Sequence, residues 1–444
     1  MKTNRWNWIS TQAPFTRQDV AHPLKQSLPG ADDILRVELS NGIAVLSRSD
    51  FHSPSVVVNG YLQSGSIFDP DERIGLADFV ASSLKRGSAH YPFLEIYNLL
   101  ETAGASLGFS CGTHVTSFFG RALSEDLDLL LDLLSDILIN PIFPADQIEK
   151  LRAQLLSDLA IRAQDTGEMA SLAFDQIVYA GHPYARPEDG YPETISAITL
   201  SDLANFHKKH YGPAGMAIAI VGAVDPLQAV EKVIERLGSW TNPEQPEAPM
   251  LPPLSRLSET TTRKVTIAGK AQSDIQLGVA GPPRKSPDYL AASLGNNILG
   301  QFGMMGRLGE SVREKAGLAY DISSNLSGGA GPGPWVVSAG VNPAHVEMVI
   351  DMIIREIHKF VEEGPTQEEL SDSQANFIGR LPMSLESNAG VAAALINLER
   401  HDLGLDYYRR YADLVSAITV ENVVEVSRRY LDLNRLGIAV AGPE

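Results

Sequence analysis

Apolar residues follow two different rhythms along this chain. Near the start, Val37 to Leu39 and Ile43 to Leu46 flank Asn41-Gly42, a two-residue turn signal between short apolar runs that predicts a β-hairpin. Val56 to Leu62 reads as a further strand, so the sheet begins antiparallel. The spacing then becomes helical. Leu127, Leu130, Leu131, Leu134, Ile137 and Leu138 form one apolar stripe, Asn140-Pro141 ends it, and another helix begins after Pro144. The later part of the chain uses the same grammar. Pro343 opens a helix with Val346, Val349, Ile350, Ile353 and Ile357 on one face, and Gly364-Pro365 stop it. Thr366 with Glu369 then forms a capping box for the next helix.

The chain also repeats itself. Ser196-Ala197-Ile198-Thr199 returns as Ser416-Ala417-Ile418-Thr419, 220 residues on, and the ungapped match runs to Ile218-Ala219 and Gly222 against Ile438-Ala439 and Gly442. Each copy leads from a helical pattern with a basic end (Lys208-Lys209, Arg428-Arg429) into a short apolar strand closed by Gly. A period this long indicates duplicated domains, not a solenoid. Between the copies, Asn242 to Pro249 and then Pro252-Pro253 have the proline density of an extended linker. The expected organisation is an N-terminal extension at 1–30, a first domain at 31–239, a Pro-rich linker at 240–257 and a second, homologous domain at 258–444. The expected fold class is α+β, each domain a largely antiparallel sheet with a helical layer.

Composition narrows the function classes. With 36 Lys+Arg against 54 Asp+Glu the net charge is −18, which argues against a nucleic-acid partner because phosphates need a concentrated basic surface. That charge either lines a chamber that favours basic peptides or keeps the outer surface soluble. Cys111 is the single cysteine, which excludes an internal disulfide framework and a Cys-rich metal site. Apolar runs such as Ala214 to Val224 fall short of a membrane span. Met1 to Arg17 carries Lys2, Arg5 and Arg17 with no apolar stretch, so a cytoplasmic protein is expected, or an organellar-matrix one if this start is a transit peptide.

The segment Gly75 to Ser88 resembles the zinc helix of the insulinase/pitrilysin peptidase family. That family reads His-x-x-Glu-His there, two imidazoles on one helical face holding Zn²⁺ and a Glu activating the bound water. The corresponding positions here are Asp78, Ala81 and Ser82, and the family's third ligand, a Glu, falls near Asp158 or Leu159. Too few donors are left for a catalytic zinc site, so the resemblance implies no metal in this chain.

Gly306 to Tyr320 resembles the second-half signature of the same family, an Arg and a Tyr seven apart, met here by Arg313 and Tyr320. Gly317 fits a helix C-cap, leaving Arg313 on a helix and Tyr320 at the start of the next strand. A guanidinium and a phenol are donors without basic character, suited to holding a peptide carbonyl or the oxyanion of a tetrahedral intermediate. From these two residues alone, a structural Arg and a half-buried Tyr stay an open alternative. Gly104 to Phe109 through Phe119, Gly181 to Pro187, Lys270 to Ile275 and Asn297 to Gly300 resemble further family blocks in family order, so the resemblance spans nearly the whole chain.

The pattern is most similar to the bacterial and mitochondrial-processing-peptidase-like branch, in which each chain is a half-clamshell of two similar domains. It implies a non-catalytic subunit of a heteromeric zinc metalloendopeptidase, paired with a zinc-bearing homologue, closing a chamber around peptide substrates and donating Arg313 and Tyr320 in trans. No cofactor is then expected in this chain, zinc in the partner only, and no hydrolysis by this chain alone. The alternative within the fold is an inactive scaffold, like the core proteins of respiratory complexes. An autonomous hydrolase finds no supporting constellation, and no Gly-x-Ser-x-Gly elbow occurs.

Smaller features complete the reading. Gly300, Gly303 and Gly306 match in position the glycine-rich substrate loop of the non-catalytic processing-peptidase subunit, and a plain strand-to-helix turn explains them equally well. Gly328 to Pro334 lacks Gly-Lys-Ser/Thr and reads as a hairpin connection. His207 and His210, beside Lys208 and Lys209, read as cations facing a helix dipole and only weakly as metal ligands. Cys111 and His114 fall in a Leu107 to Phe119 run that reads as one strand, the place where the family's catalytic chains add an extended substrate.

Overall fold

The computed structural model describes residues 28–301 and 306–444, so Lys2, Arg5, Arg17 and Gly303 lie outside the described residues. The first half supplies strands β1 (Leu35–Glu38), β2 (Ala44–Ser49), β3 (Ser55–Leu62), β4 (Ser106–Cys111), β5 (Thr116–Leu123) and β6 (Ala217–Gly222). The second supplies β7 (Thr261–Thr266), β8 (Ser273–Ala280), β9 (Ala319–Leu326), β10 (Pro334–Val341) and β11 (Gly437–Gly442). The helices of the first half are α1 (Leu76–Ser83), α2 (Phe93–Thr102), α3 (Leu127–Ile139), α4 (Ala145–Arg162), α5 (Thr166–Val178), α6 (Pro192–Ala197), α7 (Leu200–His210) and α8 (Pro226–Leu237). Those of the second are α9 (Tyr289–Asn296), α10 (Val346–Glu363), α11 (Gln367–Ser384), α12 (Asn388–His401), α13 (Tyr407–Ser416) and α14 (Val420–Tyr430).

The strand orders are β1-β2-β6-β3-β5-β4 and β7-β11-β8-β10-β9. With β1 set aside, the two sheets have the same topology. The α+β class and the duplication read from the sequence are therefore those of the folded chain. Each sheet is antiparallel except for one parallel pair, β2 with β6 and β7 with β11. The repeated segment forms α7–β6 in one half and α14–β11 in the other, and both helices start at a capping box, Thr199/Asp202 and Thr419/Asn422. The Asn41-Gly42 hairpin forms as expected, with Val37 opposite Val45.

One reading is corrected. The Leu107 to Phe119 run is not a single strand but the hairpin β4–β5, closed where Gly112 N donates to Val115 O at 2.9 Å. Its outer member, β4, is an edge of the first sheet opposite β1, and β9 is an edge of the second opposite β7.

At the inner strands β3 and β6 both faces are buried, which is why β3 reads Val-Val-Val without polar alternation, whereas the neighbouring β5 alternates and leaves Phe119 and Leu123 exposed. Val56 and Val58 join the core beneath their own half's helices, and Val57 points the other way. That second face is covered by a helix from the opposite half. Helix α12 packs on β3 and β6, burying Val391, Leu395 and Leu398 against Leu46, Val57, Ala219 and Val221. Helix α5 does the same on β7, β8 and β11, with Phe174, Ile177 and Val178 grouped with Ala439. The repeated strands carry a matching size code. Ile218 and Ile220, or Ile438 and Val440, face the home core, whereas Ala219 or Ala439 faces the exchanged helix. A side chain at Gly437 would come within 2.4 Å of Val178 Cγ2, so the close approach of α5 demands glycine there.

Leu395 is fully buried in this exchanged interface. Leu395→Ala should destabilise the protein by about 2–5 kcal/mol in chemical denaturation. Because the lost contacts are to the first sheet, amide exchange should quicken in β3 and β6. Faster exchange confined to the second half would contradict the packing described.

Candidate functional site

Helix α1 carries the positions at which the resemblance places a metal. Its N-terminus is tied down from a distance: Gly75 N and Ala77 N donate to the Asp69 carboxylate at 2.8 and 2.9 Å, satisfying two amides that a helix start leaves open. Leu76, Phe79 and Val80 anchor the inner face in the first core. Ala81 is buried too, a methyl where the family has its base. Ser82 and Asp78 are half-buried. Leu159 lies in the same core as Phe79 and Val80, while Asp158 is exposed to solvent. This donor set has no imidazole and does not fit a zinc ion with three protein ligands. Among the described residues no group of three or more His, Cys, Asp or Glu is placed to hold a metal.

The surroundings of α1 are acidic and partly shielded from solvent instead. Burial, then the charges of Asp189 and Glu188, push the Asp78 carboxyl up to about 7. Burial, then Glu188, does the same to Asp175. Burial raises Asp69 to about 7 against its two backbone donors. Burial, then Asp78, Asp69 and Glu188, holds the Cys111 thiol protonated, and its Sγ donates to Gly112 O at 3.4 Å. A thiol in such a field is no nucleophile. Sequence reading missed this cluster because Asp69, Asp175 and Glu188 lie far apart along the chain and none belongs to a motif.

His114 does not turn to Cys111. Its Nε2 bonds the Tyr184 hydroxyl at 2.7 Å, and that hydroxyl accepts from Gly331 N at 2.9 Å. The β4–β5 turn is thereby joined to the Gly328 to Pro334 connection, which spans β9 and β10 as the expected hairpin. Burial, then Arg400 and His182, pushes His114 down to about 4, so its neutral ring accepts the phenol proton.

His207 and His210 are corrected from dipole-facing cations to neutral core residues. Burial pushes both down to about 4. His207 Nε2 bonds Leu138 O at 2.8 Å, and His210 lies between the rings of Phe68 and Phe206 at 4.6 and 4.5 Å. Lys208 and Lys209 alone carry charge at that helix end.

In the second half, Arg313 lies on a π-helical segment, Gly309–Lys315, where an ordinary helix was expected. Gly317 ends it at φ +64°, donating to Arg313 O at 3.1 Å, and Tyr320 follows as the second residue of β9. Tyr320 is 62% exposed rather than half-buried, and Arg313 is exposed as well. Neither side chain makes a hydrogen bond or ion pair among the described residues. Gly300 and Gly306 are buried and touch: a side chain on Gly306 would come within 2.9 Å of Gly300 Cα. They pinch together the ends of a helix-to-helix connection, so of the two readings the plain strand-to-helix turn is not what forms, while Gly303 lies outside the described residues.

Residues 44–187 match the family described as Insulinase (Peptidase family M16), and residues 197–377 match the Peptidase M16 inactive domain. This chain belongs to the insulinase, or M16, peptidase family. A protein of Streptomyces coelicolor named an uncharacterized zinc protease is 25% identical, covering 93% of this chain and 90% of its own length. One of the same description in Mycobacterium leprae is 27% identical, covering 92% of both chains. The crystal structure of a peptidase M16 inactive domain from Pseudomonas fluorescens superposes with a TM-score of 0.83 at 26% identity, covering 93% of this chain and 98% of that one. A protease from Helicobacter pylori shares the fold, with a TM-score of 0.87 at 21% identity and coverage of 94% and 100%. Within this M16 fold, the α1 surface combines an apolar inner face with a desolvated acidic rim.

The Asp78 carboxyl sits above its ordinary 3.8, so the folded chain binds more protons than the unfolded one between that value and about 7. Its contribution to stability therefore falls as pH rises through this window. Asp78→Asn should be more stable than the parent by about 1–3 kcal/mol near pH ~8, with the difference fading near pH ~4. Equal stability of the two proteins at both pH values, by thermal or urea unfolding, would show that Asp78 is not desolvated.

Proposed function

We propose that this chain is the non-catalytic member of a two-subunit zinc endopeptidase, pairing with a homologue that carries an intact His-x-x-Glu-His. The observation that carries the reading is the asymmetry between its two halves. The α1 positions hold Asp78, Ala81 and Ser82, whereas Arg313 and Tyr320 keep their spacing, are exposed, and have no partner among the described residues. Two donors held out to solvent beside a free sheet edge suit a ligand supplied from outside the chain.

In this proposal the partner supplies zinc and the attacking water. Arg313, on its short helical segment, offers a two-pronged donor to a peptide carbonyl, and the Tyr320 hydroxyl offers a single one. Donors aimed at the oxygen that becomes negative stabilise the transition state more than the bound substrate, so they act on kcat. Gly300 and Gly306 set the stem of the connection leading into the Arg313 segment, and peptides are the substrate class.

Purification of the chain from its own cells should bring down a zinc-bearing homologue in equal amount. In the verified complex Tyr320→Phe and Arg313→Ala should each leave assembly intact and lower kcat by roughly tenfold to a thousandfold. Zinc analysis should find the metal in the partner alone. Full activity in both variants would sink the trans role, and recovery of this chain only with itself would favour the scaffold reading.

A further inference from the structure

For a chain of net charge −18, one cavity has an unexpected lining. A pocket of about 370 Å³ opens in the second half among α9, α11 and α13. Its charged residues are Arg284 and Arg380, with no Asp or Glu among the described lining residues, and Tyr289, Leu290, Phe377 and Tyr407 supply apolar walls.

The two arginines are prepared differently. The Arg284 guanidinium lies 4.7 Å from the Tyr289 ring centroid and 5.5 Å from that of Tyr407, and its Nη2 donates to the Tyr407 hydroxyl at 3.0 Å. Stacking and that one bond orient the fork while leaving its other N–H groups unused. Arg380, on α11, is exposed and has no carboxylate partner among the described residues. Two nearby acids are already engaged, and Asp402 lies in the adjoining cavity that Arg284 also lines. Asp288 pairs with Arg429 at 2.7 Å, and Asp406 with Arg410 at 2.6 Å. The positive field extends past the pocket: burial, then Arg400, Arg284 and Lys285, pushes the neighbouring His401 down to about 4. Neither Lys285 nor Arg400 has a carboxylate partner among the described residues.

We propose that this pocket binds a carboxylate attached to an apolar or aromatic group, with Arg284 as the fixed half of the clamp and Arg380 as the movable half. A planar carboxylate matches the guanidinium fork two oxygens at a time, and the aromatic walls take up the attached group. The volume suits one amino-acid-sized moiety, so the ligand is either the C-terminal residue of a peptide or a free small acid. This site is independent of Arg313 and Tyr320, and it stands if the trans-acting role fails.

The test is calorimetric titration of the full chain with N-acetyl-phenylalanine, its amide, and a pentapeptide ending in Phe with a free or an amidated terminus. Acids should bind about tenfold or more tightly than the matching amides. Arg380→Ala, at an exposed position, should weaken the acids by about the same factor, with Arg380→Lys intermediate. Binding of both acids identifies a peptide end as ligand, and binding of N-acetyl-phenylalanine alone identifies a free small acid. The proposal is overturned if acids and amides bind alike, if none binds, or if Arg380→Ala, folded by circular dichroism, binds the acids unchanged.

Discussion

The exchange of helices between the halves is the constraint on which the rest of the structure depends. The inner strands of each sheet are apolar on both faces, and their own half covers only one of them. The other is closed by α12 over the first sheet and α5 over the second. An uncovered face would leave Leu46, Val57, Ala219 and Val221 in water, at about 25 cal/mol for each Å² exposed. Neither half is therefore complete alone, although each repeats the other's topology. The paired guanidinium and carboxylate of Arg36 and Glu399, bonded at 2.8 and 2.7 Å, hold β1 to the crossing helix as well.

That arrangement also sets where chemistry is available. Helix α1 lies on the home face of the first sheet, pinned by Phe79, Val80 and the Asp69 cap, so its side chains are held rigidly. Rigid placement suits a metal only when the ligands are present. With Asp78, Ala81 and Ser82 there, the same rigidity keeps a carboxyl half-buried among other acids, and its proton affinity rises. One patch of the second half carries the opposite sign. Arg284, Arg380, Lys285 and Arg400 stand without carboxylate partners among the described residues, so the chain's excess of acid lies elsewhere on its surface.

Two of the sheet edges, β4 and β9, occupy equivalent places in the two sheets. In the first half, the hairpin turn beyond β4 is tied through His114 and Tyr184 to the β9–β10 connection of the second. One phenol thus fixes the spacing of the two sheets near their edges. A partner surface or an extended peptide would meet a frame already set, which lowers the ordering cost of binding.

The sequence by itself determined the class of fold, the duplication and the positions that carry donors. Apolar spacing, caps and turn residues are local properties, and they place the Asn41-Gly42 hairpin, α3, α10 and the α11 cap correctly. Motif spacing placed Arg313 and Tyr320 on either side of Gly317. Only the tertiary structure decided which helix covers which sheet, because Ile-Ala-Ile and Ile-Ala-Val are apolar on both faces and do not name the element that packs on each. It likewise decided the charge states of Asp78, His207 and His210. Those follow from burial and from neighbours distant in the chain, which no local pattern of residues records.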